Sequence, residues 1–158
     1  MAANATSTAI AISQVPLIIN GKRVITDTAF DVHDPSTGEV LWKSSTASIH
    51  NSVAAIEAAQ AAFPGWSKTK PGYRRDLFLR AASIVEQRSK DLGRFMKEET
   101  GAEDRFIELN TSSCVEMLKD LAGRISSIVG SVPVLAQDGS HGIVYMEPYG
   151  VVLGIAPW

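Results

Sequence analysis

Only one of the 158 residues is a cysteine, Cys114. That excludes an intrachain disulfide and any paired-cysteine metal knuckle, and it fits a reducing compartment. No run of about eighteen or more apolar residues occurs, so the chain carries no membrane-spanning helix of the usual kind. Neither sign of charge dominates. Fifteen basic and 17 acidic side chains give a formal net charge of -2, without the long basic run that marks a nucleic-acid binder. The stretch from Met1 to Ser13 contains no Lys or Arg and so lacks the charged start of a secretory signal and the Arg-rich face of a transit peptide. Residues 1–14 are expected to form a disordered tail. A cytoplasmic chain with neither nucleic-acid nor membrane partners is the corresponding expectation.

What is present is 45% hydrophobic and 20% charged, the make-up of about one globular domain. Leu17 to Asn20 and Phe30 to His33 read as short strands, with Asn20-Gly21 ready to supply the positive φ of a tight turn and open a hairpin or meander. Asp34-Pro35-Ser36-Thr37-Gly38 reads as a second turn, because Pro presets φ and Gly tolerates left-handed geometry; Glu39 to Ser44 follows as a strand. Ser48 is a plausible N-cap, after which Ile49, Val53, Ile56 and Phe63 recur at helical spacing with alanines between them. Pro64-Gly65 should end this helix, and Pro71 should open the next. Leu77, Phe78, Ala81, Ala82 and Val85 form its expected apolar stripe, opposite a solvated Arg74, Arg75, Glu86 and Arg88.

A short helix is expected over Asp91 to Thr100, closed by Gly101. A longer one follows over Asp104 to Ile128, with the stripe Phe106, Leu109, Ser113, Met117, Leu121, Ile125 and Ile128. Beyond Ser131 the chain turns extended, over Val132 to Ala136, Ile143 to Met146 and Val151 to Ala156. The last run is apolar on both faces, as in a parallel sheet covered on both sides. Strands followed by helices and a buried strand make the fold class α/β.

Residues that carry chemistry elsewhere are ordinary here. Cys114 falls within a helix and away from its N-terminus, the setting of a structural or surface thiol. His33, His50 and His141 share no metal-ligand spacing. Glu98, Glu99 and Asp104 flank a helix end, where acidic side chains are commonly solvated. The phosphate loop GxxxxGK[ST], the elbow GxSxG, HExxH and GxGxxG are all absent. Catalytic and metal-ligating assignments are therefore none. The remaining candidate is the C-terminal segment Glu147 to Trp158, a buried strand ending in Pro-Trp at the carboxyl edge, where open α/β sheets bind ligands.

The segment Glu147 to Trp158, EPYGVVLGIAPW, resembles the strand that opens the dinucleotide-binding domain of the aldehyde dehydrogenase superfamily. Other segments agree in order. Ile18 to Lys22 and Asp34 to Val40 resemble the family's opening hairpin and its Asn-Pro-x-Thr-Gly-Glu turn, here with Asp34 in place of Asn. Ala58 to Trp66 with Arg74-Arg75 resemble its first two helices, and Glu98 to Gly101 the close of its third. The run Val144 to Gly150 is most similar to the branch that oxidises aromatic aldehydes, of salicylaldehyde and vanillin type.

The resemblance implies the N-terminal portion of the family's fold. Residues 15–130 would be a β-hairpin plus helices in the cofactor-binding domain, 131–150 an oligomerisation-type arm, and 151–158 the first strand of an incomplete Rossmann-like sheet. The implied cofactor is NAD or NADP, lined by Ile155, Ala156, Pro157 and Trp158. The family's chemistry uses a cysteine nucleophile, an oxyanion asparagine, and a glutamate base for thioester hydrolysis. All three match positions after Trp158, and Cys114 does not match the nucleophile loop, so these residues alone are expected not to oxidise aldehydes. An arm and an unpaired strand also imply self-association or pairing with a full-length aldehyde dehydrogenase. The competing reading, an unrelated α/β binding domain, would show a different strand order.

Overall fold

In the computed structural model, which describes residues 13–156, Asn20 and Gly21 hold φ of 51° and 71°. Two successive positive φ values make the turn whose twist suits a two-residue hairpin. The strands it joins are β2, Leu17–Ile19, and β3, Lys22–Val24, paired antiparallel with Ile19 opposite Lys22. Sequence pattern passed over β3 because Lys22 and Arg23 are charged. The Asn20-Gly21 turn closes on β3 and not on Phe30 to His33.

That later segment is β4, Ala29–His33, which runs antiparallel to β5, Val40–Ser45, with a register shift at Val32/His33. The turn between them is tied by its own side chains. Asp34 accepts the Ser36 N–H at 2.7 Å and the Ser36 hydroxyl, and the Gly38 N–H donates to the Asp34 carbonyl at 2.8 Å. Hydrogen bonds from Ser36 hold the Asp34 carboxyl below its ordinary pKa, since they favour the charged form. Lys43 does the same for Asp31 through a 2.6 Å bond.

The strand β1, Gln14–Val15, pairs parallel with the other edge of β5, giving the order β1-β5-β4. Gln14, placed at the end of the expected tail, thus begins the sheet; residues 1–12 lie outside the described ones. Its amide donates to the Thr26 carbonyl and the Ser45 hydroxyl, both at 3.0 Å, and Ser45 is buried.

Four helices follow. Ser48 caps α1, Ile49–Trp66, in a capping box completed by Asn51, so the Ser48 and Asn51 N–H groups find acceptors. Pro64 does not end it. The helix continues to Trp66, and the Ser67 N–H reaches the Phe63 carbonyl at 2.8 Å. The hydrogen bond Pro64 forfeits falls in the last turn beside exposed Gln60, where water can replace it. Pro71 opens α2, Pro71–Gln87. One residue, Arg88, separates it from α3, Ser89–Thr100, which begins two residues before the expected Asp91 and closes on left-handed Gly101. The last helix, α4, covers Asp104–Arg124 and tightens into a 3-10 turn over Ile125–Ser127.

Packing centres on α2 and α4, whose Ala82 (1% exposed), Val115 (6%) and Ala122 (1%) are the buried apolar residues of the described chain. Leu77, Phe78, Ala81 and Val85 surround Ala82 as half-buried neighbours, so the α2 stripe is the expected one. Arg74 departs from its solvated expectation: its Nε is buried without a hydrogen-bond partner. Gly93 lets α3 lie close to α4, since a Cβ there would stand 2.7 Å from Ile107 Cγ2. Trp42 of β5 meets Phe95 of α3 edge-on at 5.7 Å and 80°, an aromatic contact that ties sheet to helices.

Two helices turn inward on a face other than the expected one. The inner face of α4 is Ile107, Thr111, Val115, Leu118, Ala122 and Ile125, while Phe106, Leu109, Met117, Leu121 and Ile128 are exposed. In α1 the half-buried positions include Asn51, Ala54, Ala58 and Phe63 of the expected stripe, whereas Ile49, Val53 and Ile56 are exposed. Alanine permits the closer approach, and both helices leave large apolar side chains exposed.

The expected strand Val151 to Ala156 is a correction. It is extended but joins no ladder among the described residues, and the segment before it keeps one isolated bridge, Ser131 to Val144. A doubly apolar strand requires neighbours on both edges and cover on both faces. The described sheets supply neither.

Candidate functional site

The residues singled out for cofactor binding sit at the end of this unpaired segment. Gly150 turns the chain with a φ of 96°, and Val152, Leu153 and Ile155 then stand exposed, Ile155 at 85%. Ala156 is exposed beside it. Pro157 and Trp158 lie outside the described residues. A dinucleotide site needs a strand end held in a sheet and a helix N-terminus or glycine-rich loop for the pyrophosphate. An exposed, unpaired strand does not meet that requirement, so the described residues do not fit NAD or NADP by themselves.

Other candidate groups are scattered. Cys114 is exposed in the middle of α4, far from the helix start. His33 Nδ1 lies 3.0 Å from the Gly38 carbonyl, within the β4–β5 turn. Glu98 pairs with Arg94 at 3.3 Å, and Asp104 with Lys97 at 2.7 Å. These are exposed ion pairs, so neither carboxylate is poised for proton transfer. No group of three His, Cys, Asp or Glu side chains suited to a metal occurs among the described residues, and no described helix is long and apolar enough to cross a membrane.

Two clefts are notable. One of about 440 Å³ opens between α3 and α4, lined by Lys90, Gly93, Arg94, Lys97, Ile107 and Thr111; its cations are partly engaged by the ion pairs above. The other, about 280 Å³, lies between α2 and the end of α4, with Arg74 and Arg124 among Phe78, Leu121, Ile125 and Ile128. Asp120 bonds Arg124 at 2.7 Å and raises its pKa. Arg74 is the polar residue that sequence reasoning missed. Its place on the margin of the α2 stripe was the available signal.

These elements are found together, in this order, in known proteins. The aldehyde dehydrogenase family model matches residues 24–158. A vanillin dehydrogenase from Pseudomonas sp. strain HR199 is 39% identical over 146 residues, 91% of this chain and 30% of that protein. A 1-pyrroline-5-carboxylate dehydrogenase from Geobacillus sp. strain WCH70 is 32% identical, over 90% of this chain and 28% of its own. The chain thus spans under a third of the length of these relatives. Among solved structures, the salicylaldehyde dehydrogenase of Pseudomonas putida G7 superposes with a TM-score of 0.80 at 23% identity, over 85% of this chain and 28% of that one. An NAD-dependent benzaldehyde dehydrogenase from Corynebacterium glutamicum gives 0.74 at 25%, over 81% and 28%. The α/β arrangement described above is therefore the N-terminal part of a larger known fold, and the chain belongs to the aldehyde dehydrogenase family.

Proposed function

We propose that this chain supplies the N-terminal portion of an enzyme that oxidises an aromatic aldehyde to its carboxylic acid with NAD or NADP. The observation that carries the reading is the 39% identity to a vanillin dehydrogenase, against 32% to the 1-pyrroline-5-carboxylate enzyme. The described residues serve as scaffold: the sheets and the α2–α4 layer would hold the Val151 to Trp158 strand in place. Nucleophile, base and oxyanion donor have to come from elsewhere in the fold. Cys114, Glu98 and Asp104 stand in settings unsuited to those roles.

Replacing the matching segment of the vanillin dehydrogenase with this chain tests the reading. The chimera is expected to form reduced cofactor with vanillin, salicylaldehyde and benzaldehyde. A folded chimera that oxidises none of them would refute it. The 158-residue chain alone is expected to give no reduced cofactor above a protein-free control.

A second reading has one observation in its favour. Residues 131–150 keep a single bridge and expose Val132, Val134, Ile143 and Tyr145, as an arm would that adds to a full-length dehydrogenase. Co-expression of the tagged chain with that vanillin dehydrogenase should then recover both, and recovery of the chain alone removes this reading.

A further inference from the structure

We infer that Asn20, at the tip of the β2–β3 hairpin, is a site of spontaneous chemical modification, where the side-chain amide is lost through a succinimide and replaced by aspartate or isoaspartate. The reaction needs only this chain and water. The Gly21 main-chain nitrogen, having given up its proton, attacks Asn20 Cγ. A C–N bond closes the succinimide ring, the Cγ–Nδ2 bond breaks, and ammonia leaves with the proton. Water then opens the ring. Addition at Cγ gives aspartate; addition at the Asn20 main-chain carbonyl gives isoaspartate, whose backbone runs through the former side chain.

The described residues contain three asparagines, Asn20, Asn51 and Asn110, and they differ in what this reaction requires. The Oδ1 of Asn51 accepts the Ser48 N–H and hydroxyl at 2.9 and 2.7 Å. Asn110 donates its amide to the Phe106 carbonyl at 2.9 Å. The nitrogens that would attack these two are also engaged, since the Ser52 N–H donates to the Ser48 carbonyl at 3.0 Å and Thr111 lies inside α4. Asn20 is exposed, and among the described residues neither its side-chain amide nor the Gly21 N–H has a hydrogen-bond partner. Gly21 has no Cβ to crowd the attacking nitrogen, whereas Ser52 and β-branched Thr111 do. Ring closure also needs freedom at the Asn20 main chain. The sheet that holds this turn has two strands, β2 and β3, and such a pair is marginal in water. It opens locally, at a small free energy, without unfolding of the helices. Aspartate before glycine suits the same turn. Isoaspartate lengthens the main chain between Ile19 and Lys22, which stand opposite each other in the ladder, so that branch loosens the hairpin.

Ageing in neutral buffer tests this. The 158-residue chain is incubated beside three synthetic peptides, each holding one of the asparagines among its native neighbours, and loss of each amide is followed by fragmentation mass spectrometry. Asn20 in the chain is expected to react within about a hundredfold of its peptide, as local opening allows, while Asn51 and Asn110 are slowed more strongly against theirs. Asn20→Gln, which closes such a ring poorly, should remove most of the ammonia released. Slower reaction at Asn20 than that range places ring closure behind global unfolding and overturns the inference. Equal slowing at all three asparagines, the result an unfolded chain would give, also overturns it, as does ammonia release that persists in Asn20→Gln.

Discussion

Replacing Gly93 with alanine sets helix propensity against packing, and the structure says which wins. Alanine in place of glycine within a helix is worth about 1 kcal/mol when the new methyl meets nothing. At Gly93 it meets Ile107 Cγ2 at 2.7 Å, well inside the roughly 3.5–4.0 Å of a favourable carbon contact. Cγ2 is bonded directly to Cβ, and a β-branched side chain in a helix holds essentially one χ1 rotamer. Relief must come from parting α3 and α4. Overpacking of this kind costs about 1–3 kcal/mol, so the net effect expected is a destabilisation of roughly 1 kcal/mol. Ile107→Ala removes the obstructing carbon, and on that background the same Gly93→Ala change should stabilise by up to about 1 kcal/mol. Urea unfolding of the four proteins, followed by helical circular dichroism, measures both steps. The sign reversal is the diagnostic, because a propensity effect alone would be the same in both backgrounds. A stabilising Gly93→Ala in the unaltered chain, or equal shifts in the two, would refute the close α3–α4 approach.

Two further changes probe the turns and the arm. At Gly130 an added Cβ would collide with the Val144 carbonyl oxygen, a backbone atom that cannot swing aside, so Gly130→Ala should open the Ser131–Val144 bridge. Amide exchange at Val144, whose N–H donates to the Ser131 carbonyl at 2.8 Å, should become faster, and an unchanged rate would exclude the bridge. At Asp34 the folded pKa lies below the ordinary 3.8. Its stabilising effect is therefore full above the unfolded value and lost as pH falls through the lowered folded value. Asp34→Asn keeps an oxygen for the Ser36 N–H but does not titrate. The difference in urea midpoint between the two proteins should be largest at neutral pH and shrink below pH 3.8; a pH-independent difference would remove the carboxylate from the argument.

Helix positions were legible where a residue has a backbone duty. Ser48 caps, Pro71 starts and Gly101 ends a helix through local geometry, and each can be read without knowing the tertiary fold. Helix orientation was not. In α1 and α4 most of the larger apolar side chains, Phe63 and Ile125 apart, form one stripe and smaller ones another, and periodicity favours the larger. The structure turns the smaller stripe inward because Ala54, Ala58 and Ala122 allow close approach, leaving Ile56 and Met117 outside. The strand β3 was hidden for a related reason. Its register comes from the Asn20-Gly21 turn, while its own Lys22 and Arg23 give no alternating signal. For the candidate site, Ile155 and Ala156 could be named only through resemblance. Their surroundings depend on strand partners that the described residues do not contain.

The parallel pairing of β1 with β5 has a consequence for biosynthesis. Gln14 is made early, but its ladder partner Lys43 and its hydrogen-bond partner Ser45 come about thirty residues later. At roughly 5–20 residues per second on the ribosome, β1 waits about 2–6 s before its partner exists. The hairpin of β2 and β3 can close during that interval, so β1, made before both, is seated in its sheet after they have paired.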